Sequence, residues 1–229
     1  MMRSVVVVLC VLSHAAARRR PLGFGSFQLP KLENPFDERP GATVGKLQVA
    51  LANEDMVATK IVAEAAETFE RDRSRRALPN FISTVATALC RQGDAWLYAA
   101  CSGERFDPGR VERDDHERAY FKLVDTEAAK FEVERTPSTD ELERTRSGVR
   151  GMCVVSIVVV LEGDLTTVFE GAADSEQKMR DALTDLGGAC LVRGGDALYN
   201  AEVLWTPSSA DEALFKDEAL VDFPELMAL

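Results

Sequence analysis

The longest apolar run in the chain, Met152 to Leu161, is ten residues with Ser156 inside it. A helix that crosses a bilayer needs about 20 such residues. Half that length fits a buried central strand, and the run therefore points to a sheet at the heart of the chain. Hydrophobic residues make up 46% of the 229, enough to bury a core and to exclude global disorder. The formal net charge is −11, which argues against nucleic acid as a partner, because phosphate binding needs a basic face. The same acidity suits a soluble protein and disfavours anionic membranes.

The N-terminus is of another kind. Met1–Met2–Arg3 is a positive start, Val5 to Leu12 is apolar, and Ala15–Ala16–Ala17 supplies small residues for cleavage. This pattern predicts a signal peptide over 1–17. Residues 18–41 follow as a transit-like segment and linker, with Arg18, Arg19, Arg20 and Lys31 and no acid before Glu33. A signal peptide followed by a basic, acid-free stretch reads as the two-part leader of a protein sent to a plastid inside several membranes. The alternative is a secreted protein with a basic mature end. No N-x-S/T acceptor occurs, which disfavours a glycosylated secreted protein.

Residues 42–229 read as one α+β domain. Thr43 to Leu51 alternates, with Leu47, Val49 and Leu51 on one face and Lys46 and Gln48 on the other, a half-buried strand. Met56 to about Arg71 repeats Val57, Ile61, Ala65 and Phe69 at helical spacing. A second helix opens at Pro79 with Phe81, Ile82, Val85 and Leu89 as its stripe, and Gly93 ends it. Ala95 to Cys101 is a strand and Gly103 to Gly109 a loop. Glu112 to about Arg135 is a charged helix edged by Tyr120, Val124, Ala128 and Phe131. Thr136 to Gly151 is a polar hinge. Asp174 with Gln177 offers an N-cap pair for a helix ending at Gly187. Tyr199 to Trp205 is the last strand, stopped by Pro207 and followed by a short acidic helical tail. With the charged helix taken as an insertion, the order predicts a four-stranded sheet with helices on one face, as in the ferredoxin-like split β-α-β arrangement.

Catalytic signatures are absent. After leader removal His116 is the one histidine, on a charged helix that solvation explains. No G-x-S-x-G elbow, P-loop or dinucleotide fingerprint occurs. Cys90, Cys101, Cys153 and Cys190 are widely spaced, so no metal site is expected, although the spacing admits a Cys90–Cys101 bridge. Arg71, Arg73, Arg75 and Arg76 form the one candidate anion contact, set against a solvated interhelix loop. Trp96 and Trp205 read as core.

Three blocks carry a resemblance. Ala201 to Pro207 reads A-E-V-L-W-T-P, and after an acidic spacer Asp217 to Leu226 reads D-E-A-L-V-D-F-P-E-L. Val44–Gly45–Lys46–Leu47–Gln48–Val49 and Ala88–Leu89–Cys90–Arg91 with Trp96 and Tyr98 are the other two. Together they resemble the domain-of-unknown-function 1517 family of cyanobacteria and plastids, over about residues 42–229. That family includes the fluctuating-light-acclimation proteins of chloroplasts. The resemblance implies a plastid protein of photosynthetic acclimation or photoprotection, without an established enzyme activity. Lys46, Leu47, Gln48, Trp96, Trp205, Thr206, Pro207, Asp222 and Pro224 are the family-motif positions, read as structural. The expectation is a non-catalytic accessory domain that needs no cofactor. It binds a protein partner in the plastid, has no nucleic-acid role, and associates with membranes at most peripherally. The alternative is a ligand-binding module or enzyme with a carboxylate and arginine site. Trp205 is expected to share a packed strand face with Tyr199, Ala201 and Val203, and Phe223 and Leu226 to dock back on the core.

Overall fold

The computed structural model describes residues 10–11, 41–53, 56–72, 74–107, 115–131, 151–208 and 213–229. Nearly all of the leader and linker, most of the polar hinge and Arg73 lie outside the described residues.

The strands over 42–52 and 152–162 form the middle of the sheet. β1 (Cys10–Val11), β2 (Ala42–Ala52), β3 (Trp96–Phe106), β4 (Met152–Glu162), β5 (Leu198–Thr206) and β6 (Met227–Ala228) lie in the order β1-β5-β4-β2-β3-β6. Every neighbouring pair is antiparallel. The run 152–161 is indeed a central strand, paired along its whole length with β2 and from Val154 to Leu161 with β5. The helices are α1 (Val57–Arg71), α2 (Ala77–Arg91), α3 (Asp115–Phe131), α4 (Thr166–Phe169), α5 (Glu176–Leu191) and α6 (Lys216–Asp222).

Two parts of the expected architecture are corrected. The sheet has four long strands plus a two-residue strand at each edge, and it is not a split β-α-β arrangement. β2 and β3 are direct antiparallel neighbours because two helices, α1 and α2, carry the chain up and back between them. β4 and β5 are likewise direct neighbours, joined through α4 and α5. Nor do the helices share one face. Leu47, Val49, Leu51, Val155, Ile157, Ala201, Val203 and Trp205 face α1, α2, α4 and α5 in one core. Val44, Ala50, Val154, Val158, Val160 and Leu204 face α3 and α6 in a second. The charged helix therefore covers the sheet, with Tyr120 and Val124 as its buried contacts. Covering both faces buries β2 completely where alternation predicts a half-buried strand; Lys46 and Gln48 go inside with the rest.

Local corrections follow from the same packing. In α1 the buried positions are Ala58, Thr59, Val62 and Ala66, whereas Val57 is exposed and Ile61, Ala65 and Phe69 turn towards α2. α2 buries Phe81, Ile82, Val85 and Leu89 as its spacing predicts. β3 continues through Gly103 to Phe106, so the predicted loop begins later. Gly45 and Gly103 are register partners, and they leave a notch for the Phe169 ring; a Cβ on Gly45 would lie 2.2 Å from that ring. α5 is capped by Ser175, whose Oγ accepts from the Lys178 N–H at 3.3 Å, and it runs through Gly187 to Leu191. Gly187 sits inside the helix, facing Ser83 and Ala86 of α2.

An extra residue in each of two strands forms a bulge. The first leaves Leu97 unpaired and 40% exposed. The second, opposite Val160 and Leu161, turns Tyr199 to the α3 side, away from Ala201, Val203 and Trp205. Cys90, Cys101, Cys153 and Cys190 are free thiols, so Cys90 and Cys101 form no bridge. Burial pushes the Cys153 thiol up to about 12, and Cys190 likewise to about 12.

Candidate functional site

The α3 face of β2 carries Lys46 and Gln48 two residues apart, and β4 places Ser156 directly beside Gln48. α3 crosses above with Glu127 on its buried side and Lys130 one turn on. The chain end brings Glu225 to the same point. Lys46 Nζ donates to Glu127 Oε1 at 2.7 Å and to Glu225 Oε1 at 2.9 Å. Lys130 Nζ donates to Glu127 Oε1 at 2.8 Å and also to Glu225. Gln48 Nε2 donates to Glu127 Oε2 at 3.0 Å and to Ser156 Oγ at 2.7 Å. Lys46 is 5% exposed and Glu127 1%.

Two ammonium and two carboxylate groups make this cluster neutral. Burial raises the Glu225 carboxyl, but bonds from Lys130 and Lys46 outweigh it and hold Glu225 below its ordinary value. Burial lowers Lys130, and bonds from Glu127 and Glu225 outweigh that, so its ammonium is held above the usual range. A buried ion pair contributes little net stability but fixes one arrangement, because an alternative would strand a charge out of water. Here the arrangement joins β2, α3 and the chain end.

Glu202 lies further along the same face on β5. It is fully buried, and neither carboxyl oxygen has a hydrogen-bond partner among the described residues. Asn200 Oδ1, two residues away on β5, and Gln48 Oε1 are unpartnered in the same way. Burial, helped by the negative charge of Asp125, pushes the Glu202 carboxyl up to about 7.

Sequence reasoning finds two members of the polar cluster, Lys46 and Gln48, as motif positions, and misses Glu127, Lys130, Ser156, Glu225 and Glu202. A signal existed for some. Ser156 interrupts an otherwise apolar run, and Glu127 lies three residues beyond Val124 on the helix's apolar edge. The rest depends on tertiary placement.

The other motif residues lie elsewhere. Leu47 is buried in the first core. The Trp96 indole donates to Leu89 O at 3.1 Å, and the Arg180 guanidinium lies 5.3 Å from its ring centroid. Trp205 is 1% exposed, and its indole nitrogen has no partner among the described residues. Thr206 and Pro207 are buried, and the Pro207 carbonyl accepts from Thr59 Oγ1 at 3.1 Å. Asp222 is half-buried and Pro224 exposed, on either side of the buried Phe223. Of the arginines, Arg71 pairs with Glu67 at 2.8 Å and Arg75 with Asp196 at 2.9 Å. Arg76 is exposed. His116 is half-buried, its ring 6.3 Å from that of Tyr199. Between α1 and α2 runs a groove of about 520 Å³ with Ile61, Ala65, Phe69 and Phe81 among its lining and Glu64, Asp72 and Arg91 at hand. No group of three or more metal-ligating side chains occurs among the described residues.

Comparison with known proteins decides the family. A family described as "Protein of unknown function (DUF1517)" matches residues 41–229. The chain belongs to this family. It is also similar to "Protein FLAP1 homolog A" of the cyanobacterium Synechocystis, at 23% identity over 160 residues. That alignment covers 63% of this chain and 44% of the relative, so the chain spans less than half of that curated protein's length. No solved structure matches the DUF1517 chain.

Proposed function

We propose that this DUF1517 chain is a non-catalytic accessory protein of a plastid, and that it works by binding a protein partner in photosynthetic acclimation or photoprotection. The observation that carries the reading is the use made of the buried polar residues. The amines of Lys46 and Lys130 and the carboxylates of Glu127 and Glu225 bond to one another, and so brace elements instead of facing a substrate. Similarity to a cyanobacterial protein supports a photosynthetic setting. The leader pattern of residues 1–41 supports plastid delivery, with the domain beginning at 42.

No described helix is long and apolar enough to cross a membrane. We expect carbonate to release the mature chain from plastid membranes, and retention in the pellet until detergent is added would contradict this. Affinity isolation after cross-linking in intact plastids, with partners identified by mass spectrometry, tests the central reading. Recurrent recovery of one plastid protein supports it. Recovery of the chain alone, from both stroma and membranes, overturns it. A reporter fused to residues 1–40 tests delivery, and its appearance in the medium would mean secretion.

The α1–α2 groove favours a second reading, a small-ligand module. Its apolar wall with Glu64, Asp72 and Arg91 nearby is the usual composition of a ligand cleft. A metabolite panel that raises the melting temperature of the wild type but not of Arg91→Ala would move the assignment there.

A further inference from the structure

Among the described residues, Glu202 is the buried acid that its surroundings explain least. A carboxylate removed from water needs a cation or several hydrogen bonds, and Glu202 has neither among the described residues. Its neighbours on the sheet face are Val158, directly opposite on β4, with Ser156 and Val160 to either side. On β5 itself they are Asn200, which offers an unpartnered acceptor, and Leu204. From α3 the charge that bears on it is Asp125, which repels. Among the described residues, the other charged groups on this face are paired or exposed. Lys46, Lys130, Glu127 and Glu225 neutralise one another above β2, Arg118 pairs with Asp115, and Lys122 is exposed. His116 stands beside Tyr199.

We propose that Glu202 is a proton-controlled latch beneath α3: with its proton in place the carboxyl tolerates the closed helix, and when the proton leaves, α3 lifts from the sheet. A neutral carboxylic acid can sit in an apolar bed and can give its O–H to an acceptor, of which Asn200 Oδ1 is an unpartnered one. A carboxylate at the same place faces an acceptor, an apolar strand and a second acid. Opening α3 restores water to it. Because Lys46 and Glu225 clamp the helix near Glu127, the release is a hinged one, with the end of α3 nearer Asp125 and His116 moving more than Lys130.

The direction with pH follows from linkage. The closed form holds its proton up to about 7, and the opened form gives it up near the ordinary value of 4.5. The opening equilibrium therefore rises by up to tenfold per pH unit between those two values and levels off above the higher one. Hydrogen exchange of the full chain, expressed as protection factors to remove the intrinsic pH dependence of exchange, reads this on α3 peptides. α5, on the opposite face, serves as the internal control. The wild type is expected to show the rise on α3 and not on α5. Glu202→Gln is expected to show flat, high protection on α3 across the range. If Glu202→Gln fails to fold, Glu202→Met repeats the test with a neutral side chain of similar size that needs no partner. Flat protection in the wild type overturns the proposal, and so does a rise that persists unchanged in the folded neutral variant.

Discussion

Trp205 shows how a family-motif residue can be structural. It is buried in the first core, and its indole nitrogen has no partner among the described residues. Trp205→Ala should cost about 3–5 kcal/mol, measured by urea unfolding. Trp205→Phe should cost much less than its lost volume suggests, because it also removes an unpaired buried donor. An unchanged midpoint in Trp205→Ala would instead make this residue part of a binding surface. Lys46 is the opposite case, a buried charge with partners. Lys46→Ala leaves Glu127 and Glu225 with one ammonium, Lys130, between them, and the unbalanced buried charge should cost about 3–5 kcal/mol. The double replacement Lys46→Met with Glu127→Leu should recover most of that loss, since the pair then leaves together. Denaturant midpoints of the two singles and the double measure this coupling, and simple additivity would show that the two residues act independently.

Among the elements, α3 and the chain end were the hardest to place from sequence, and the reason is physical. α2 was legible because its buried stripe, Phe81, Ile82, Val85 and Leu89, is apolar at helical spacing. The central strand was legible because it is apolar throughout. α3 is charged over most of its surface and buries only a narrow strip, part of which is the carboxylate Glu127. Hydropathy reads such a helix as solvent-facing, so the second core beneath it and the two-sided sheet were both missed. Tyr199 departs from the face that alternation predicts because a bulge shifts side-chain parity and leaves no mark in composition. For the chain end, spacing alone places Phe223 and Leu226 on the core, and they are buried there. Glu225, between them, bears no mark in the sequence of the two ammonium groups that it meets. A chain ending at Ser209 loses α6, β6 and Glu225 together, leaving Lys46 and Lys130 to share Glu127. It should therefore melt markedly lower than the full chain, and α3 amides should lose protection before those of α5. Equal melting temperatures would show that the end is dispensable.

For the molecule as a whole, two carboxyls pull stability in opposite directions with pH. Glu225 is held below its ordinary value, so its contribution is present above about 4.5 and is lost as pH falls through its folded value. Glu202 is pushed up to about 7, so its burial is tolerated below 4.5 and costs stability as pH rises from there. At about 1.4 kcal/mol per pH unit, the Glu202 penalty amounts to about 3 kcal/mol at most. Equilibrium unfolding should show greatest stability in mildly acidic solution, and Glu202→Gln should remove the decline towards neutrality. A wild type most stable at pH 8 would contradict this. The clamp between Lys46 and Glu225 also spans 179 residues of chain. Synthesis at about 5–20 residues per second separates the appearance of those two residues by roughly 10–35 s. During that interval β2 exists without the last of its counter-charges, and the sheet's second face lacks the residues that close it. Completion of the domain therefore waits for the segment that carries Glu225, and any passage through a narrow opening that needs an unclosed chain has until that segment appears to begin.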